Sequence, residues 1–170
     1  MPNWVRNAIN LEGSLKERER LYEYVKNGDR EFDFNNIKPM PKDLKDTNSP
    51  THIVSEEDYK EGERGITQQM SDDLISKYGF NEWYEWSVKN WGTKWNACDI
   101  YVDDDYEFIE FNTAWSTPVP LLRKLSEEFP QLKITVYYAD EDFGSNVGQY
   151  VLKGGSIMEV IPKEGTDKAY

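Results

Sequence analysis

Three of the six tryptophans stand at positions 91, 95 and 115, and Lys94 sits between the first two. Indole faces beside a lysine can hold an anion against aromatic surface, or can receive the lysine stem and its ammonium. Asn96, Asn112 and Thr113 would add hydrogen bonds if these segments meet in space. Trp91, Lys94, Trp95, Asn96, Asn112, Thr113 and Trp115 therefore form a candidate ligand-binding set. The competing role is packing, with Gly92 and Thr93 turning the chain between a helix and an edge strand while the indoles plug the gap. Asn and Thr beside a helix start are ordinary local caps. Packing is the expectation for all three tryptophans.

Carboxylates are the second chemical resource. Asp99, Asp103, Asp104, Asp105, Glu107 and Glu110 fall in one stretch without a base, and Asp140, Glu141 and Asp142 form another block. They are candidate protein-interaction residues, able to steer a partner with a basic surface. A formal charge of −12 argues against direct binding of nucleic acid, because phosphate contacts need clustered Lys and Arg. The Asp103–Asp105 run lacks the glycine and distant bidentate Glu of a calcium loop, so it reads as a solvated turn and no metal site is expected. Glu107 and Glu110 fall on opposite faces of a strand, which separates them as an acid–base pair. His52, the single histidine, lies in the loosest segment, and the single cysteine, Cys98, reads as an inert strand thiol. Residues 144–148 lack the lysine and following helix of a phosphate loop. No catalytic residues and no cofactor are expected.

The elements that must position these groups follow from periodicity. Residues 4–12 alternate as a strand, with Val5, Asn7, Ile9 and Leu11 on one face. Ser14 and Glu17 form a capping box for a helix carrying Leu15, Leu21, Tyr22 and Val25, closed by Gly28. Phe32, Phe34 and Ile37 read as a short strand stopped by Pro39 and Pro41. Residues 42–65 read as an exposed connection with a helical piece near 56–60. A helix from Ile66 to Tyr78 ends at Gly79, and Asn81 caps another that reaches Gly92. Residues 97–102 and 106–113 make a hairpin, and Pro118 opens a helix with Leu121, Leu122, Leu125 and Phe129 inward. Residues 132–138 form a strand, and 148–152 with 157–161 a final hairpin. The expectation is one α+β domain over 1–170: a ferredoxin-like βαββαβ core, antiparallel or mixed, with helices on one face. An irregular and helical insertion over about 42–92 and a C-terminal hairpin enlarge it. No apolar run reaches membrane-spanning length and the N-terminus carries no signal pattern, so a cytoplasmic protein is expected.

Three motifs carry a resemblance. The chain opens Met1-Pro2-Asn3-Trp4-Val5-Arg6-Asn7, continues with Asn90-Trp91-Gly92-Thr93-Lys94-Trp95-Asn96-Ala97, and then has Phe111-Asn112-Thr113-Ala114-Trp115-Ser116-Thr117-Pro118. In this it resembles phage- and plasmid-encoded proteins of unknown function with a YubB-type ferredoxin-like domain. That family usually has Cys after the first Trp, where this chain has Val5. The resemblance implies the fold and a mobile-element origin, and no activity.

Two functional readings follow. The first is a non-enzymatic interaction module acting on a host or phage protein, in its most concrete form an acidic decoy whose carboxylates imitate DNA phosphates. The second is a small-ligand site or enzyme built on the tryptophan motifs. A solvent-open pocket at the tryptophans favours the second; a continuous acidic ridge over buried tryptophans favours the first.

Overall fold

A computed structural model of the chain describes residues 1–142 and 144–160. Strand β1 (Trp4–Glu12) buries every second residue, Val5 to Leu11, as its alternation requires. The Ser14 hydroxyl accepts from the Glu17 amide at 3.2 Å and starts α1 (Leu15–Val25), whose inward residues are Leu21 and Val25. Leu15 is exposed, so the apolar stripe begins later than its spacing implies, and the helix stops before Gly28.

The short strand expected around Phe32–Ile37 is instead a helical turn, α2 (Phe34–Ile37). The Asp33 carboxylate caps it, accepting from the Asn35 amide at 2.9 Å. One turn puts Phe34 and Ile37 on the same buried face, which a period of two would not. The insertion holds α3 (Lys42–Lys45), a two-stranded parallel pair of β2 (Ile53–Val54) and β3 (Ile66–Thr67), α4 (Gln68–Tyr78) and α5 (Trp83–Trp91). Three expectations are corrected here. Ile66 donates its amide to His52 O at 2.9 Å, so the helix begins two residues later, capped by Thr67. Glu82, not Asn81, caps α5, its carboxylate accepting from the Tyr84 and Glu85 amides, while Asn81 donates to Ser71. The segment near 56–60 is a turn on Ser55 rather than a helical piece.

Strands β4 (Cys98–Val102) and β5 (Phe108–Ala114) form the expected hairpin, followed by α6 (Val119–Glu128) and β6 (Lys133–Asp140). The last hairpin is β7 (Gly148–Lys153) and β8 (Ser156–Val160); Ile161, expected to end it, lies outside the described residues. The six-stranded sheet runs β4-β5-β1-β6-β7-β8 and every neighbouring pair is antiparallel. Within it, β1-α1-β4-β5-α6-β6 is a ferredoxin-like unit, with the sequence-distant β1 and β6 side by side. One sheet face carries Ile9, Leu11, Ile109, Phe111, Ile134 and Val136 into a core shared with α1, α2, α5 and α6. Phe32 stacks on Phe111 with ring centroids 4.8 Å apart, and Phe34 meets Trp91 edge-on at 5.7 Å. Each such ring contributes roughly 1.5–3 kcal/mol of burial, added to a core built mainly of Ile, Leu and Val. The opposite face presents Arg6, Asn10 and Tyr137 to solvent. Among the described residues no helix is long and apolar enough to cross a membrane.

Candidate functional site

Two hydrogen bonds stitch the turn after α5 to the turn after β5, and two further contacts fix the α5 turn itself. Gly92 ends α5 with φ +80°, and a side chain there would collide with Pro120 of α6. The buried Thr93 hydroxyl donates to Ala114 O at 2.7 Å, and the Ser116 hydroxyl donates to Gly92 O at 2.6 Å. Ser87 of α5 donates to Lys94 O at 2.9 Å. These bonds place Lys94 and Trp95 beside Trp115. Trp115 itself has φ +69°, a left-handed conformation that costs a non-glycine residue about 1–2 kcal/mol. Its amide donates to Asn3 O at 2.9 Å and its carbonyl accepts from Asn146 at 3.4 Å, so the reversal is held from both sides.

The result is an aromatic surface around one cation. The Lys94 ammonium lies 4.4 Å from the Trp95 ring centroid, 4.9 Å from Trp115 and 5.9 Å from Tyr84. Trp4 extends the surface, 6.0 Å from Trp95, and Tyr84 meets Trp115 edge-on at 6.2 Å. Trp95 is 38% exposed and Trp115 44%, against the packing expectation. Trp91 is 5% exposed and packs in the core, donating its indole N–H to Lys38 O at 2.8 Å. Among the described residues the Lys94 ammonium has no ion-pair partner.

The remaining candidates are spent on structure. Asn96 accepts from the Phe34 and Ala97 amides and donates to Asp33 at 2.8 Å. Burial raises the Asp33 pKa, but hydrogen bonds from Asn27, Asn96 and Asn35 outweigh it and hold the carboxyl below its usual value. Thr113 is buried, accepting from Asn7 at 2.8 Å and donating to Ser116 O. Asn112 lies on the open sheet face and donates to Asp99 at 3.0 Å. Burial, and then the neighbouring Asp99, raise the Cys98 thiol, which disfavours a thiolate there.

The carboxylates divide. Asp103, Asp104 and Asp105 sit in the β4–β5 turn, where Asp103 accepts from the Phe108 amide at 2.9 Å. Asp140, Glu141 and Asp142 lie at the other end of β5, roughly 20 Å away by strand rise, since Val5 pairs with both Thr113 and Asp140. Glu107 is paired with Arg18 at 2.6 Å, and Glu110 with Arg6 on the open face. The second block adjoins the aromatic surface: Asn3 donates to Asp140 and Asp142, and the Trp4 amide to Glu141 at 3.1 Å.

Tyr84 and Trp4 were absent from the candidate set. Trp4 stands in the first of the three motifs, so the motifs do converge; Tyr84 carries no local signal of its role. A cleft of about 900 Å³ between α4 and the 59–66 loop was also illegible. Asp43, Arg64, Leu74 and Lys77 line it, with Asp43 accepting from Tyr78 at 2.7 Å and from Lys77 at 3.0 Å.

No curated protein is matched by this chain. A crystal structure of a protein api92 from Yersinia pseudotuberculosis aligns with 96% of this chain and 99% of that one, at 12% identity and a TM-score of 0.45. Residues 90–170, which begin at the tryptophan motif and run through the β4–β5 hairpin, α6 and the last strands, match the family model described as the ferredoxin-like domain in Api92-like protein.

Proposed function

We propose that this chain is a non-enzymatic interaction module, of phage or plasmid origin, that docks a protein with a basic surface through Trp4, Tyr84, Trp95 and Trp115. The observation that carries this reading is the exposure of Trp95 and Trp115, held in place by directed hydrogen bonds rather than by burial. Large aromatic side chains in such positions are characteristic anchors of protein interfaces. Asp140, Glu141 and Asp142 border the same surface and supply the attractive field for a basic partner. The mobile-element origin rests on the resemblance of the three motifs alone. The nucleic-acid-mimicking form receives less support, because mimicry needs carboxylates along one face and those of 99–110 are split between faces and ends of the sheet. One core that unites the sheet with residues of the insertion supports reading 1–170 as a single unit.

The test is capture from bacterial lysate at low and high salt, with wild type and a Trp95→Ala/Trp115→Ala double variant. The expected outcome is a basic protein retained by wild type at low salt and lost by the variant. Equal retention by both would contradict the aromatic surface as the dock.

A further inference from the structure

We infer that Tyr84, Trp95 and Trp115 form a cage for a weakly hydrated organic cation, the guanidinium of an arginine on the docked protein, and that Lys94 occupies it in the meantime. This rests on the docking reading above and names what that surface recognises. Three rings converge on one ammonium at 4.4, 4.9 and 5.9 Å, each within the range over which a ring quadrupole attracts a cation. Lys94 is half-buried, yet among the described residues neither a carboxylate nor a hydrogen-bond acceptor engages its ammonium, in a chain with 32 acidic residues. Among the described residues the rings are therefore its only partners, and they do not distinguish one cation from another by directed bonds.

Selection then falls to desolvation and shape. A guanidinium is more weakly hydrated than a primary ammonium and lies flat on indole, so it has the advantage over Lys94 for the same rings. Lys94 hangs on a flexible four-carbon stem and is anchored only through its backbone carbonyl, on Ser87. It can leave without breaking a side-chain hydrogen bond. Trp115 cannot: its left-handed backbone is pinned by Asn3 and Asn146, and strain of this kind is kept where surrounding structure fixes a side chain for use. A resident lysine lowers the apparent affinity for a guest by the fraction of time it leaves the cage open.

The probes are tetramethylammonium chloride and guanidinium chloride at low millimolar concentration, against sodium chloride at equal ionic strength. Tryptophan fluorescence is the readout, for wild type, Lys94→Ala and Lys94→Gln, and for each lysine variant with Trp115→Ala added. Removing Lys94 should tighten both organic cations by roughly three- to tenfold, the factor expected when a competing cation–π contact is lost. Adding Trp115→Ala should abolish the gain, and sodium should be inert throughout. Circular dichroism of each variant identifies any that misfold, and two lysine replacements keep the comparison available. Unchanged affinity in both folded lysine variants would overturn the cage. If lysate capture still depended on Trp95 and Trp115 in that case, the dock would stand and only its cation specificity would fall.

Discussion

At the residue scale, the tryptophans separate by exposure into two kinds, and their substitutions should separate likewise. Trp91→Ala opens a hole among Phe34, Trp86 and the sheet and should cost about 3–5 kcal/mol. Trp95→Ala removes a ring that solvent already reaches and should cost within about 1 kcal/mol. Chemical denaturation of the two variants checks this, and equal losses would place Trp95 in the core after all. Lys94, Trp95 and Trp115 were legible as a possible site because their types and spacing are unusual. Their orientation was not, since it depends on the positive φ at Trp115, which turns that side chain away from the alternation of β5. Nothing in an Ala-Trp-Ser run signals such a reversal. Asn96 and Thr113 looked equally available, and only long-range contacts to Asp33 and Asn7 remove them.

At the element scale, caps decide where helices begin, and one of them is a pH-dependent device. Asp33 starts α2 and accepts from Asn27, Asn35 and Asn96. Its folded pKa lies below the ordinary 3.8, so its stabilising contribution is complete above that pH and is lost as pH falls through the lower folded value. Asp33→Asn should therefore flatten the acid limb of the stability profile while lowering stability at neutral pH. Thermal unfolding from pH 2 to pH 7 measures this, and an acid limb identical to wild type would remove Asp33 from the account. Gly92→Ala tests the turn that sets Lys94 and Trp95. With φ +80° and a Cβ only 2.6 Å from Pro120, it should cost more than about 1 kcal/mol and loosen the α5–α6 contact. The strands and long helices were legible because alternation and capping are local. The turn at Phe34–Ile37 was not legible because Asp33 and its asparagine partners, one of them Asn96 far along the chain, outweigh the strand preference of two phenylalanines.

At the scale of the whole molecule, a ferredoxin-like sheet brings the N-terminal, middle and 111–118 motifs to one end. It sends the Asp103–Asp105 turn to the other. The βαββαβ core and the final hairpin turning at Gly154-Gly155 were legible from the sequence of elements, whereas the order β4-β5-β1-β6-β7-β8 rests on long-range pairing that chain order does not convey. What the chain order could not convey is which acidic block adjoins the aromatic rings. With a captured basic partner, replacing Asp140, Glu141 and Asp142 by amides should slow association, the loss shrinking as salt rises. The same change at Asp103, Asp104 and Asp105 should slow it less and leave the fold intact. Stopped-flow association at two ionic strengths checks both, and a larger effect from the distant turn would move the dock to the β4–β5 end.

If the exposed rings around Lys94 receive a basic partner, they should respond first to one. The six indole N–H groups give one nitrogen–proton correlation each, assignable by single Trp→Phe replacements. Titration with an arginine-rich peptide should move the signals of Trp95 and Trp115 first and leave those of the buried Trp86 and Trp91 in place. Unmoved Trp95 and Trp115 signals, with binding evident elsewhere in the spectrum, would contradict docking at these rings.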